Sequence, residues 1–279
     1  MAALLFSTGG AAIKAADFNP WQIASFRSGI AAITLLLVVP SVRRGFGWRP
    51  ALVGVAYAAT LVLFVLANRM TTSANTIYLQ STAPLYVLLF APLLLKEPIR
   101  RRDLAVIATV IGGLVLVLLG ANPPSATATD PARGNVLAAM SGLSYALLLM
   151  GLRWLGRDGN TERAISAVVL GNVIACLAAL PMALPLGIHP VMAWGVILYL
   201  GVFQIAGAYL LVTSALRHVP AIEASLMLLV ETAFNPLWAW LLVGEVPAAL
   251  ALVGGGLIVA ATIVQAMRSP SAPPTPGLV

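Results

Sequence analysis

Glu223, Met227, Glu231, Asn235 and Trp238 recur at intervals of four, four, four and three inside one apolar block, Ala221 to Val243. That spacing puts two carboxylates, an amide and an indole along a single helical face. Ionisable groups in so apolar a setting are costly and usually face a cavity or a protein partner. Glu231, near the middle of the block, is suited to hold an ammonium group or to take up a proton, with Glu223 in a similar role nearer an interface. The competing reading is a pairing with a neighbouring helix. A second polar set, Asn75, Tyr78, Gln80, Ser81 and Thr82, precedes Pro84 in the block Thr72 to Leu95. Asn75 shares a face with Tyr78 and with Ser81 or Thr82. Pro84 removes a backbone donor and leaves the carbonyl of Gln80 free for a substrate contact or a hinge; Pro236 is the mid-helix proline of the other block.

Lys14 and Arg27 are the two cations inside apolar blocks. Lys14 can bind a substrate carboxylate, pair with Asp17 or snorkel to the interface, and Arg27, about one and a half turns after Trp21, can snorkel outward. Tyr145, Asn172, Gln204 and Tyr209 are further lining candidates, each of which alternatively makes an interhelical hydrogen bond. Glu97 and Glu245 close their blocks as caps or gates. Catalysis finds no support: His189 and His218 fall between blocks, and neither metal-ligand spacing nor a converging Ser/His/Asp set is present. The lone Cys176 offers neither a disulfide nor a CxxC motif. No GxxxxGK[ST] run exists to cradle ATP phosphates. The sequence therefore implies no cofactor, no metal and no ATP, and any transport is facilitative or driven by an ion gradient.

The elements that hold these residues follow from composition. Of 279 residues 60% are hydrophobic and 9% charged, against roughly 25% charged in soluble proteins. So few charges cannot coat a soluble domain; with a mean hydropathy of +0.97, the chain reads as a multi-pass protein of the cytoplasmic membrane whose partners are lipid and a small molecule. The net charge of +7 fits an excess of Lys and Arg on the cytoplasmic side. Nucleic acid is excluded, since no basic run interleaves with aromatics.

Ten blocks are long enough to cross a bilayer: Ala2 to Ala16, Trp21 to Val39, Ala51 to Asn68, Thr72 to Leu95, Leu104 to Leu119, Gly134 to Leu155, Ala164 to Leu184, Val191 to Leu216, Ala221 to Val243, and Ala248 to Met267. None shows the period-2 alternation of a barrel, so the expected fold is an all-α bundle. Residues 1–16 lack the basic n-region of a signal peptide and span only ~24 Å of a ~30 Å core; the first helix is short, or the chain starts upstream. Twelve Lys and Arg fall on alternate connections, from Arg43, Arg44 and Arg49 through Lys96 and Arg100 to Arg268, while the opposite connections carry Arg69 and Arg133. Both termini are thus expected in the cytoplasm.

Weak self-similarity divides the chain. Arg69 precedes Glu97 by 28 residues and Arg217 precedes Glu245 by 28, a shift of 148 in both cases; near the start of each half, at a different shift, Phe6 to Lys14 corresponds to Tyr145 to Arg153. Five helices per repeat require the second to be inverted. The expected organisation is a repeat over 1–120, a Pro/Ser/Thr/Ala-rich linker over 121–133, a second repeat over 134–268 and a disordered tail over 269–279. With Arg27 in the second block, Pro84 ahead of Lys96-Glu97-Pro98, the Gly112-Gly113 pair, and Glu231 ahead of Gly244-Glu245, the chain resembles the EamA-type family of the drug/metabolite transporter superfamily over nearly its whole length. The resemblance implies two inverted five-helix bundles around a central cavity, a basic residue at Arg27 beside the pathway, and export or exchange of small metabolites.

Tyr78, Tyr145, Tyr209 and Trp238 beside carboxylate and amide groups suit an apolar side chain with a zwitterionic head, which favours amino acids, aromatic ones included. A cationic-drug or polyamine exporter would use Glu231 without needing Lys14 or Arg27. A non-transporting sensor or scaffold would be indifferent to Glu231→Gln.

Overall fold

The computed structural model describes residues 1–94, 101–120, 125–156, 161–215 and 221–268. Among them all regular structure is helical apart from an isolated bridge between Ser125 and Ala128. The helices are α1 (Ala2–Ser7), α2 (Gly9–Ala15), α3 (Pro20–Val38), α4 (Trp48–Met70), α5 (Ser73–Gln80), α6 (Ala83–Leu94), α7 (Arg101–Leu119), α8 (Pro131–Gly156), α9 (Thr161–Ala183), α10 (Val191–Tyr199), α11 (Ala208–Ala215), α12 (Ala221–Val243) and α13 (Ala249–Arg268). A 3-10 turn, Pro40–Gly45, follows α3, and a π-helical stretch, Leu200–Gly207, joins α10 to α11. Pro20–Val38, Trp48–Met70, Pro131–Leu152, Glu162–Ala183 and Val191–Leu211 are long and apolar enough to cross a membrane; Ala2–Ala15, Leu104–Leu119 and Ala249–Ala261 are shorter apolar helices.

Local signals explain several boundaries. Asn19 and Gln22 form a reciprocal capping box at the start of α3, with Pro20 in the first turn where its missing N–H costs nothing. The hydroxyl of Thr72 accepts from the Asn75 N–H at 3.1 Å and starts α5. Gly244, at φ +67°, ends α12 by donating its N–H to the Trp240 carbonyl at 3.0 Å. Only glycine takes that left-handed cap freely.

Three blocks expected as unbroken helices are interrupted. The first breaks at Thr8, where the Ser7 and Thr8 hydroxyls donate to the carbonyls of Leu4 and Leu5 at 2.8 Å and two glycines follow. The fourth breaks at Ser81 and Thr82, where the Thr82 hydroxyl donates to the Leu79 carbonyl at 2.6 Å. Such side-chain bonds offer the backbone an alternative to the helical ladder, and Pro84 just beyond cannot supply an N–H to continue it. In the eighth block the Ala208 N–H reaches back five residues to the Phe203 carbonyl.

Apolar side chains cover the outside as well as most of the core. Leu37, Leu119 and Leu242 are 72%, 71% and 66% exposed, while Asn68, Asn172 and Asn235 are wholly buried. An outer surface of hydrocarbon, with a minority of polar groups held inside an apolar core, suits lipid as the solvent. α4 packs between α8 and α9, α3 lies on α9, and α7 lies on α13. α7 and α13 approach backbone to backbone: a Cβ on Gly113 would stand 2.7 Å from the Gly254 carbonyl oxygen, closer than any side chain tolerates.

Candidate functional site: a central cavity bordered by a cation and a carboxylate

The interrupted helices converge on one cavity of about 240 Å³. α3 contributes Arg27, the α5–α6 break contributes Gln80 and Ser81, α8 Tyr145, the π stretch Gln204, α11 Tyr209, and α12 Glu231 with Thr232. Breaks leave backbone and short polar groups facing the centre, the arrangement in which membrane carriers place their binding sites. Six residues singled out by the sequence as cavity-lining, Arg27, Ser81, Tyr145, Gln204, Tyr209 and Glu231, thus border one space.

Arg27 is 2% exposed and donates from Nη2 to the Leu61 carbonyl at 3.0 Å, while its Nε has no hydrogen-bond partner. Glu231 is half-buried. Among the described residues no ion pair joins the two. Phe6 and Tyr57 each meet the Tyr209 ring edge-on at 5.2 Å, and the Tyr57 hydroxyl faces Tyr209 and Asn172. Gln80 donates to the Ser141 hydroxyl at 2.8 Å, which donates to the Thr60 carbonyl at 3.2 Å. Ser81 and Thr232 share a hydroxyl–hydroxyl bond of 3.0 Å. Sequence reasoning missed Thr232 and Tyr57. Thr232 carried a usable signal as a polar neighbour of Glu231, whereas Tyr57 sits in a uniformly apolar run.

The remaining candidates lie elsewhere. Lys14 pairs with Glu245, not Asp17: Nζ stands 3.1 Å from Oε2 with both side chains nearly fully buried. The same ammonium donates to the carbonyls of Thr71, at 2.9 Å, and Thr127, and the other Glu245 oxygen accepts the Ser73 N–H at 2.5 Å. Burial holds the Glu245 carboxyl above the usual carboxylate range, against the pull of Lys14 and the Ser73 N–H. Arg69 adds donors to the last carbonyls of α2, with Lys14 O at 3.1 Å. Asn75 belongs to this end too, donating to Asn135 at 3.2 Å. Thr82 is spent on its own turn, and Trp238 donates to the Ser7 hydroxyl at 3.0 Å. Tyr78 lines a separate side cleft of about 280 Å³ between α5, α12 and α13.

Pro84 lies in the first turn of α6 and Pro236 inside α12. The side chains of Glu223 and Pro84 lie outside the described residues, as do Glu97, Arg217, His218 and the tail over 269–279. No group of three or more His, Cys, Asp or Glu that could hold a metal occurs among the described residues.

An apolar bundle that turns its polar groups onto a central cavity has the build of a multi-pass membrane transporter. The chain belongs to the EamA-like transporter family, whose model matches residues 1–119 and 132–267. Its place is therefore the cytoplasmic membrane, and its partners are a small molecule and the bilayer. It is 27% identical over 274 residues, 94% of this chain and 92% of the relative, to the pseudopaline exporter CntI of Pseudomonas aeruginosa strain UCBPP-PA14, and equally so to that of strain PAO1. An uncharacterised transporter of Helicobacter pylori strain J99 is 29% identical over 194 residues, 63% of this chain and 61% of the relative. A solved crystal structure shares the fold, with a TM-score of 0.65 at 18% identity over 95% of this chain and 94% of that one.

Proposed function

We propose that the protein is a secondary transporter that exports or exchanges amino acids, aromatic ones included, by alternating access around the central cavity. The observation that carries this reading is that Arg27 and Glu231 border one space and are not paired with each other. Leaving the buried Arg27 without a counter-ion costs several kcal/mol, and a zwitterionic head would offer its carboxylate to Arg27 and its ammonium to Glu231. Tyr145, Tyr209 and Phe6 offer the apolar flank. At about 240 Å³ the cavity is below the ~300–1,000 Å³ of drug-sized sites, and a polyamine would leave Arg27 without a partner. Both points favour an amino acid over a cationic drug or polyamine, and export is the direction named for the Pseudomonas relatives.

The architecture proposed with it has ten spans in two inverted five-helix repeats, 1–120 and 134–268, with both termini cytoplasmic. The self-pairings α3 with α9 and α7 with α13 support the repeat, because each pair joins equivalent helices of the two halves. Glu231, with Glu223 on the same helix, is the proposed proton- or charge-coupling group. Rocking of the halves would use the breaks before Pro84 and the proline-containing helix of Pro236.

The test is counterflow in proteoliposomes preloaded with one amino acid from a panel, with Glu231→Gln alongside. Protein-dependent uptake of large apolar or aromatic amino acids, lost in the variant, is the expected result. No counterflow across the panel by folded protein would overturn the substrate class and make a cationic panel the next step. Unchanged flux in Glu231→Gln would remove the carboxylate from the site.

A further inference from the structure

Thr232 borders two spaces at once, the central cavity on one side and the cleft between α5, α12 and α13 on the other. Its hydroxyl bonds at 3.0 Å to that of Ser81, which lines the central cavity. The two spaces differ in chemistry. The cavity holds a guanidinium, a carboxylate and several hydroxyls, whereas the cleft is walled by Leu252, Gly256, Val259, Ala260 and Ile263, with Tyr78 as its aromatic end. Gly256, Val259, Ala260 and Ile263 fall at i, i+3, i+4 and i+7 of α13 and so form one stripe. Gly256 and Ala260 leave room along that stripe: both are exposed, and a Cβ built on Gly256 would find nothing within 4 Å. The Tyr78 ring is fixed as a wall by close packing on Gly255, where a Cβ would stand 2.5 Å from ring atoms.

We infer that this cleft is the side-chain subsite of the carrier and sets which amino acids it moves. The inference rests on the amino-acid reading given above. With the head group held between Arg27 and Glu231, a short side chain stays within the central cavity. A large apolar or aromatic side chain displaces the Ser81–Thr232 contact and lies against Tyr78 and the Gly256 stripe, where it is removed from the polar lining. Burial of an indole or phenyl ring offsets the loss of one neutral hydroxyl pair. Gly256, Val259 and Ala260 are then specificity-determining positions. The cleft also faces the bilayer, so a lipid acyl chain is the competing occupant.

The test measures counterflow of tryptophan and of alanine by wild type, Gly256→Leu, Ala260→Leu and Val259→Ala in the same liposomes, and reads the tryptophan-to-alanine ratio. The leucine variants fill the cleft from two successive turns and are expected to lower the ratio about tenfold or more, the scale on which an apolar pocket discriminates. Val259→Ala enlarges the cleft and is expected to raise the ratio; it carries the test if a leucine variant fails to fold. An unchanged ratio in all variants that elute as folded protein would overturn the inference and assign the cleft to lipid, while leaving the amino-acid reading intact. Wild-type protein that moves neither amino acid would overturn that reading itself, and the subsite with it.

Discussion

Among the described residues one cation–carboxylate set is closed and buried and another borders the central cavity, and they are built in opposite ways. Lys14 and Glu245 touch at 3.1 Å, and the protein supplies their remaining partners, the carbonyls of Thr71 and Thr127 and the N–H of Ser73. Arg27 and Glu231 border a common cavity without an ion pair, and the Nε of Arg27 is left without a partner. A charge whose counter-ion comes from the same chain is committed to the fold. A charge whose counter-ion is missing is available to a ligand. The first set ties α2 to the turn after α12 and to the start of α5, so it joins the two ends of the sequence at one face of the bundle. The second leaves the centre open.

This contrast can be broken experimentally, and the largest effect is expected at the closed set. Lys14→Met strands a buried carboxylate and is expected to lower stability by ~3–5 kcal/mol, read as a fall in the thermal unfolding temperature in detergent. Adding Glu245→Leu removes the orphan charge and should restore much of the loss. A single variant as stable as wild type would mean that the pair holds nothing together. At the open set the expectation reverses. Glu231→Gln and Arg27→Lys should unfold near the wild-type temperature, yet lose ~1.5–3 kcal/mol of substrate binding, roughly 10- to 100-fold in affinity, measured by titrating the substrate in counterflow. If those variants lose stability instead, the open charges are structural and the contrast collapses. The smallest effect is expected at Trp238, which the fold assigns to packing: Trp238→Phe forfeits one hydrogen bond to Ser7, ~1 kcal/mol, with the substrate profile unchanged. A shifted profile would move Trp238 into the site.

How much of this the sequence disclosed depended on whether the signal was local. The four-residue spacing of α12 brought out Glu231 because helical periodicity is a property of one segment. The same spacing included Trp238, which lies two turns further along and finds Ser7 instead of the cavity. Asn75 and Tyr78 both lie in α5, but Asn75 sits in its first turn within a capping network and bonds Asn135, while Tyr78, one turn on, lines the side cleft. The Thr72 cap was present in the sequence and marked Asn75 as a first-turn residue. Nothing local joined Lys14 to Glu245, which lie 231 positions apart; the pairing exists only once α2 and the Gly244 turn are brought to the same face. The charge deficit and apolar blocks were enough for the all-α membrane class, because lipid imposes them on composition directly. The breaks at Thr8 and at Ser81 and Thr82 were written as Ser, Thr, Gly and Pro, but the π stretch of Leu200–Gly207 carries only Gly201 and Gly207, and glycine also occurs inside unbroken helices, so this stretch was not legible.

That stretch has a consequence for insertions and deletions. Each residue of an ordinary helix turns the chain by ~100°, and a π segment accommodates a residue beyond what α-helical register would hold. Removing one residue between Leu200 and Gly207 would let the segment relax to ordinary helix and leave Tyr209 facing the cavity, whereas the same deletion within regular α10 would swing everything after it by about that angle. The π stretch is thus a place where the chain tolerates a change of length without re-aiming the aromatic side chain that follows.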